Sequence, residues 1–223
     1  MTKTLLGAGL ALGLIVSSAV NAQTVTFSNT ASITIPDSGA ATPYPSNITV
    51  SGLTGNIVNV TLTLNGYGHT FPNDVDVLLV SPNGAQLVPM SDVGGTGSVT
   101  GLNVTFQNGA AAIPATITSG TFAPTNSGAG DPFPAPAPAG TPGTDFTVFN
   151  GPAAAQNGTW RLFVVDDFAG DTGAITGGWT LNITTAAPVA QNPFGIPTMG
   201  REAMIIMAAL LLVLGGVAIR RYV

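Results

Sequence analysis

The segment TWRLFVVDDFAGDTGAITGGWTLNIT, residues 159–184, consists of two apolar runs separated by a stretch rich in glycine and aspartate. Alternate side chains of a β-strand point to opposite faces of a sheet, so Trp160 and Leu162 share one face in the first run. Trp179 and Leu181 share a face in the second run in the same way. The segment therefore predicts two strands whose tryptophans anchor a core. The alternative for both rings is a stacking platform for carbohydrate.

Similar short runs extend outward from this segment as far as residue 24. They are rich in β-branched residues and separated by Gly, Pro, Asn and Asp, and no helical periodicity appears between the two termini. About ten such strands at turn-bounded spacing predict an all-β fold, specifically a jelly-roll-like antiparallel β-sandwich. In IVNVTLTLNG, residues 57–66, alternation predicts that Val58, Val60 and Leu62 point inward.

The first 22 residues have the features of a secretory signal peptide. Their start is basic at Lys3, an apolar run follows, and small residues end the segment at Ala22. We therefore expect the mature chain to begin at Gln23 and the β-sandwich domain to occupy residues 23–185.

The C-terminal part predicts a membrane anchor. Residues 186–202 form a Pro/Ala stalk, and residues 203–219 carry no charge. At about 1.5 Å per residue this uncharged run spans roughly 25 Å, close to the thickness of a hydrocarbon core. We expect a transmembrane helix with a basic end over residues 203–221 and a cytoplasmic C-terminus. A buried core helix is the alternative.

Charge and cysteine content narrow the function of the exported region. It contains nine aspartates and one basic residue, Arg161, so it has no basic patch and nucleic acid is an unsuitable partner. The chain has no cysteine, so an exported fold must be stable without disulfides. A domain of this length can achieve that with a single core.

Residues 126–146, NSGAGDPFPAPAPAGTPGTDF, are the longest stretch without strand character. Their proline-rich centre favours polyproline II. The residues after this stretch and before residue 185 are too few for a second domain. We therefore expect an insertion that lies over the sandwich.

Three stretches of the exported region resemble the P domain, or homo B domain, of proprotein convertases. They are IPDSG (35–39), NITVSGLTGNIVNVTLTLNGYGHTFPNDVDVLLVSPNGAQLV (47–88) and FNGPAAAQNGTWRLFVVDDFAGDTGAITGGWTLNI (149–183). The shared pattern is a histidine before an Asp-hydrophobe-x-hydrophobe strand and SPxG, followed by NGTW, GDTG and W-x-L. The resemblance implies a jelly-roll sandwich that in convertases stabilises an adjacent subtilisin-like catalytic domain and performs no chemistry itself. The 223 residues leave no room for that catalytic domain, so an association with serine endopeptidases would belong to the family and not to this chain.

The tail, IPTMGREAMIIMAALLLVLGGVAIRR (196–221), is similar to bacterial C-terminal sorting signals of the IPTL type. In these signals an Ile-Pro-Thr-Leu motif precedes one membrane helix and a basic end. Met199 replaces the leucine, and no tryptophan lies near Glu202. The resemblance implies that a sorting peptidase and the export machinery are partners. A plain single-pass anchor is the alternative.

Enzyme functions are less well supported. A Ser-His-Asp mechanism needs an imidazole, and the chain has one histidine, His69, at the start of a predicted strand, where a structural hydrogen-bonding role is the alternative. The sequence contains no GxSxG, HExxH or nucleotide-binding loop. A glycosidase would need two carboxylates, which Asp74 and either Asp166 or Asp167 could supply, but no substrate-binding pattern accompanies them.

Two groups of aspartates lie at the ends of predicted strands. Asp74 and Asp76 begin the strand that ends in SPNG, and Asp166, Asp167 and Asp171 follow the strand that contains Trp160. Ca²⁺ takes six to eight oxygen ligands, and loops at strand ends supply them. We therefore expect these five aspartates to form a calcium site if the two groups meet. The alternative is that each aspartate caps a turn through its own backbone.

These observations predict an exported, non-catalytic surface module with a structural or adhesive role. The precursor is expected to be membrane-anchored, and the mature protein to be at the cell surface or outside the cell. A carbohydrate-binding module, using an exposed Tyr44 or Tyr67, is the alternative, and a hydrolase is the more distant one.

Overall fold

The computed structural model describes residues 22–128, 130–131, 133–186 and 204–210. The chain divides into two units, Met1–Pro188 and Val189–Val223. The described residues of the first unit form fourteen β-strands and three short 3₁₀ helices. The first seven strands are β1 (Gln23–Asn29), β2 (Ile33–Ile35), β3 (Gly39–Ala40), β4 (Ser46–Val50), β5 (Asn56–His69), β6 (Val75–Val80) and β7 (Gln86–Ser91). The others are β8 (Val99–Ala111), β9 (Gly120–Phe122), β10 (Thr125–Asn126), β11 (Gly151–Pro152), β12 (Gly158–Asp166), β13 (Gly173–Ile175) and β14 (Trp179–Ala186). The 3₁₀ helices are Pro72–Asp74, Phe146–Phe149 and Ala153–Gln156.

The strands form two sheets, which confirms the predicted all-β sandwich. The first sheet contains eight strands, in the order β1-β14-β5-β13-β2, with β8 and β11 also paired to β5 and β9 paired to β8. The second contains six strands, in the order β10-β7-β6-β12-β3, with β4 also paired to β12. The core lies between them and includes side chains from both sheets.

Both tryptophans belong to this core, as the sequence predicts. Trp160 and Trp179 are fully buried. The indole N–H of Trp160 donates to the Gln156 carbonyl oxygen at 3.0 Å, and that of Trp179 donates to Ser46 Oγ at 2.9 Å. Because the polar edge of each ring has a protein partner and each face is packed, the carbohydrate-platform alternative is wrong for these two residues.

The prediction that both sheets are purely antiparallel is wrong in part. Two pairs are parallel, β10 with β7 and β9 with β8. β9 and β10 have three and two residues, respectively, and β10 lies at the edge of the second sheet. Turn-bounded alternation cannot distinguish such short parallel additions, because the direction of a strand is set by the path of its connection.

The prediction that Val58 points inward is also wrong. Val58 is 47% exposed, whereas its neighbour Ile57 is buried. The pairing of β5 with β14 shifts register between Thr184 and Thr185, whose partners in β5 are Asn59 and Ile57, respectively. This β-bulge adds one residue to β5 and reverses the alternation on its N-terminal side.

The second sheet is buried on both faces at β6, where all six residues are buried. Val75, Val77 and Leu79 contribute to the core between the sheets. Leu78 and Val80 belong to a second apolar cluster on the opposite, outer face.

Residues 126–146, which we call the strap, cover this outer face. Phe133 and Ala137 of the strap pack on the second cluster. The Val88 amide donates to the Gly143 carbonyl at 2.9 Å, and Gln86 Nε2 donates to the Ala139 carbonyl at 3.2 Å. The predicted insertion over the sandwich is therefore confirmed, and its cover explains how Asp76 of β6 is buried.

In the second unit, residues 204–210 are helical and their side chains are exposed. Among the described residues, no helix has both the length and the apolar character needed to span a membrane. The predicted signal peptide (1–22), the stalk and sorting motif (186–202) and the transmembrane helix (203–221) lie for the most part outside the described residues. These three assignments therefore stay predictions.

Candidate metal centre

Asp76 lies on the outer face of the second sheet, under the strap. It is adjacent on β6 to Val75 and Val77, which point into the core, so its own side chain points the other way. Only 1% of Asp76 is exposed. A carboxylate in such a place is costly unless hydrogen bonds or a cation compensate its charge.

Two further strands, β7 and β10, bring polar residues to Asp76. Val77 of β6 pairs with Met90 of β7, and Ser91 pairs with Asn126 of β10. Asp76 and Ser91 are therefore neighbours across the sheet, and Ser91 Oγ lies 2.6 Å from Asp76 Oδ1. Asn126 extends this row to the start of the strap.

Asp92 and Asp131 complete an acidic group around Asp76. Asp92 directly follows β7, and Asp131 is in the strap; each is half-buried. One carboxylate oxygen from each of the three aspartates lies within 4.8 Å of the other two. Oxygens on opposite sides of a Ca²⁺ ion are about 4.8 Å apart at a typical Ca–O distance of about 2.4 Å. The three residues thus form a group that could hold a metal ion.

The group has more acceptors than protons. Ser91 Oγ lies 2.6 Å from Asp76 Oδ1 and 2.7 Å from Asp131 Oδ1, but a hydroxyl has one proton and donates to one of them at a time. Asn126 Nδ2 donates to Asp131 Oδ2 at 2.5 Å. The buried Asp76 Oδ2 has no hydrogen-bond partner in the part of the chain that the structure describes.

The pKa values follow from this geometry. Burial is the largest cause that raises the pKa of the Asp76 carboxyl, to about 7; the Ser91 hydrogen bond lowers it, and the Asp167, Asp131 and Asp92 carboxylates raise it. Burial also raises the pKa of Asp92, with smaller contributions from Asp167 and Asp131. The charged side chains that act on Asp76 and Asp92 are all carboxylates. A bound cation would therefore stabilise the ionised forms of these two residues.

A second polar group lies between the two sheets, around His69 and Asp166. His69 ends β5 of the first sheet and Asp166 ends β12 of the second. His69 Nε2 is 3.0 Å from Asp166 Oδ2, and both side chains are buried. Neither atom has another partner among the described residues. His69 Nδ1 lies 3.2 Å from the Phe71 amide nitrogen and 2.9 Å from its carbonyl oxygen.

Asp74 belongs to this second polar group, around His69 and Asp166. Burial raises the pKa of the Asp74 carboxyl to about 6, helped by the carboxylates of Asp166, Asp171 and Asp167, while His69 lowers it. Burial likewise raises the pKa of Asp166, against the hydrogen bond from the Phe168 amide and the charge of His69. The Asp74 side-chain Oδ2 is buried without a hydrogen-bond partner in the described residues.

The structure thus distributes the five predicted ligands over two places. Asp76 belongs to the group with Asp92 and Asp131, whereas Asp74 and Asp166 lie beside His69. Asp167 is exposed and Asp171 is half-buried; Asp167 acts on the pKa values of both groups. Whether any of the five binds a metal ion stays a prediction.

Sequence reasoning missed Asp92 and Asp131 as members of the group. Asp92 could have been included by the same argument as the others, since it lies two residues after the strand-like run AQLVPM (85–90). Asp131 gave no such signal, because its position depends on the path of the strap across the sheet.

The strap and the second sheet also line an open pocket of about 490 Å³ on the outer face. Its lining combines polar side chains with one aromatic ring: Gln86, Asn126, Asp131, Phe133 and Thr141. Asp131 belongs both to this pocket and to the acidic group. Tyr44, the first of the two candidate carbohydrate-binding tyrosines, is half-buried. Its hydroxyl donates to the Pro134 carbonyl oxygen at 3.1 Å.

Tyr67, the other candidate, is fully buried, so the prediction that it is exposed is wrong. The pairing of β5 with β8 shifts register between Leu64 and Tyr67, and this irregularity turns Tyr67 into the core.

Comparison of the chain with family models, with curated proteins and with solved structures found no match. Function must therefore be argued from the chain's own residues. An acidic oxygen-rich group on a sheet can bind a hard cation, and the buried His69–Asp166 contact can hold two sheets together.

Proposed function

We propose that this protein is an exported, non-catalytic surface module of jelly-roll type with a structural or adhesive role, related to convertase P domains. The observation that carries the proposal is the position of His69. It is the one imidazole of the chain, and only 2% of the residue is exposed. Its ring lies between the sheets, with Nε2 next to Asp166 and Nδ1 next to the Phe71 backbone.

This position supports a structural role for His69. A general base must come within about 2.6–3.2 Å of the proton it removes from the substrate or nucleophile. A buried ring with both nitrogens next to protein atoms is poorly placed for that contact. The resemblance of the exported region to a domain that performs no chemistry points to the same conclusion.

Surface display and lack of catalysis can be tested separately. Antibodies against residues 23–185 should label intact cells of the source organism, and a deletion strain should adhere or aggregate less than the parent. Labelling that requires cell lysis would contradict the surface assignment. The purified protein should not hydrolyse generic peptide or glycoside substrates; turnover that is lost in a folded His69→Gln variant would contradict the non-catalytic assignment.

The pocket under the strap favours carbohydrate binding as the second candidate function. Amide, carboxylate and hydroxyl groups beside an aromatic ring suit a sugar. A glycan array should separate the two functions, with Phe133→Ala in the pocket and Phe168→Ala on the surface as a matched control; Phe168 is 68% exposed and outside the pocket. Saturable binding that Phe133→Ala alone removes would favour the carbohydrate function.

We further propose that the cation of the acidic group is Ca²⁺. The available ligand atoms are carboxylate and hydroxyl oxygens, with no sulfur or imidazole in the group. Such hard ligands suit Ca²⁺, with water completing six to eight positions. An ion that binds only the folded state would stabilise a module that has no disulfides.

A further inference from the structure

The acidic group joins the strap to the second sheet. Asp76 and Asp92 belong to the sheet and its β7 end, whereas Asp131 comes from the strap. The strap passes so close to Asp92 that a Cβ on Gly128 would lie 2.8 Å from Asp92 Oδ2. Two carboxylates of the sheet therefore face a third that reaches them from the covering segment.

The two parts of the strap are attached differently. Its later part is held by the Val88–Gly143 and Gln86–Ala139 hydrogen bonds, by the hydrogen bond from Asn108 Nδ2 to Asp145 Oδ1, and by the packing of Phe146 in the core. The polar contacts of its first part are the hydrogen bond from Ser127 N to the Ser91 carbonyl and the contacts of Asp131 with Ser91 and Asn126. This part alone brings a carboxylate next to other carboxylates.

Without a cation, this attachment is unfavourable. Asp76 is almost completely buried and its Oδ2 has no hydrogen-bond partner in the described part of the chain. The one basic residue of the sandwich, Arg161, has its guanidinium carbon 5.7 Å from the centre of the Phe163 ring on β12. Neither the orphaned oxygen nor the repulsion between the three carboxylates is explained by the residues around them, and both point to a cation.

We propose that one Ca²⁺ ion binds Asp76, Asp92 and Asp131 together and so fastens the first part of the strap to the second sheet. The inference rests on the calcium binding proposed above, and it adds the ligand from the strap and the consequence for the pocket. Because Asp131 also lines the pocket of about 490 Å³, the ion fixes one wall of that pocket. Ser91 Oγ and water are available for further coordination.

The test uses the full chain in mild detergent, with Ca²⁺ alone as the probe. Isothermal titration should give one site, and Asp131→Asn should weaken it at least tenfold. Asp171→Asn is the matched control. Asp171 is also half-buried, but its carboxylate raises the pKa of Asp74, which lies in the group around His69 and Asp166. This control variant should bind Ca²⁺ like the wild type. Hydrogen exchange should slow on calcium addition in residues 126–131 and stay unchanged in residues 139–146.

Each outcome decides between the proposals. A wild-type protein that binds no Ca²⁺ would overturn both the calcium proposal and the fastening of the strap, and it would leave the surface role unaffected. Binding that Asp171→Asn weakens and Asp131→Asn does not would place the ion beside Asp74 and overturn only the strap inference. Binding lost in Asp131→Asn without any change in exchange at residues 126–131 would show that the ion does not fasten the strap.

Discussion

Asp76 and Asp166 lie one register position apart on neighbouring strands, yet their side chains point to opposite faces of the second sheet. Asp76 of β6 pairs with Val165 of β12, and Asp166 pairs with Val75. Residues directly opposite each other share a face, and consecutive residues do not. Asp166 therefore points with Val75 toward the first sheet and His69, while Asp76 points toward the strap. A single ion cannot easily join them, although they are close along the sheet.

Replacing Asp76 by asparagine should stabilise the calcium-free protein at pH 8. The substitution keeps the size of the side chain and removes a buried charge that lies among other carboxylates. Thermal unfolding in chelator, followed by tryptophan fluorescence, should give a higher melting temperature for Asp76→Asn than for wild type. In saturating calcium the order should reverse. An Asp76→Asn protein that is less stable than wild type in both conditions would indicate that Asp76 has only a hydrogen-bonding role.

The stability of the calcium-free protein should fall as pH rises. The ordinary pKa of an aspartate is about 3.9, and burial among carboxylates raises that of Asp76 to about 7 in the folded chain. Between these values the folded state binds a proton that the unfolded state has released, so this contribution to stability is present at low pH and is lost as pH approaches 7. Melting temperatures at pH 5 and pH 8 should show the fall. Asp76→Asn should reduce it, and an equal fall in that variant would contradict the assignment.

The His69–Asp166 contact should stabilise the fold without affecting calcium binding. Removal of one partner from a buried polar contact leaves the other unsatisfied and costs about 1–3 kcal/mol. Asp166→Ala should therefore lower the free energy of unfolding by roughly that amount in urea denaturation, and it also removes the acceptor of the Phe168 amide. The affinity for Ca²⁺ of the folded variant should stay within a factor of about three, which is small against the tenfold loss that 1.4 kcal/mol represents. A complete loss of binding would favour the site at Asp74 and Asp166.

Ser46→Ala should cost about 1–3 kcal/mol of stability, because it leaves the buried indole N–H of Trp179 without its acceptor. Ser46 is buried in β4 and also accepts from Asn29 Nδ2 at 3.2 Å. Ser127→Ala, on the strap, offers the same substitution as a control and should change stability by less than about 0.5 kcal/mol. Equal effects of the two substitutions would contradict a specific role for the Trp179 hydrogen bond.

The sequence was sufficient for the fold class and for much of the core, because alternation in strands such as β12 and β14 is regular. The predicted orientation of side chains was wrong where the pairing of β5 shifts register, as at Val58 and Tyr67. A bulge reverses the alternation of side chains and leaves no clear signal in the composition. The sequence identified Asp76 as a candidate ligand but grouped it with Asp166, whose side chain points to the opposite face of the second sheet. The grouping rested on the position of both residues at the ends of predicted strands, whereas the pleat and the path of the strap bring Asp92 and Asp131 to Asp76.

Processing of the termini is a separate prediction. If the signal peptide and the sorting signal are both used, intact mass of protein from the source organism should correspond to a chain that begins at Gln23 and ends between residues 196 and 201. A mass that retains residues 203–221 would favour a plain membrane anchor. A mass that retains residues 1–22 would contradict export by a cleaved signal peptide.

The most direct test of the calcium assignment is a long-wavelength anomalous difference map from crystals grown with calcium. The account predicts one calcium peak within about 2.3–2.6 Å of carboxylate oxygens from Asp76, Asp92 and Asp131. The strap should lie against the peak through Asp131. A map with no peak at these three residues, or with a peak beside Asp74 and Asp166 instead, would contradict the account.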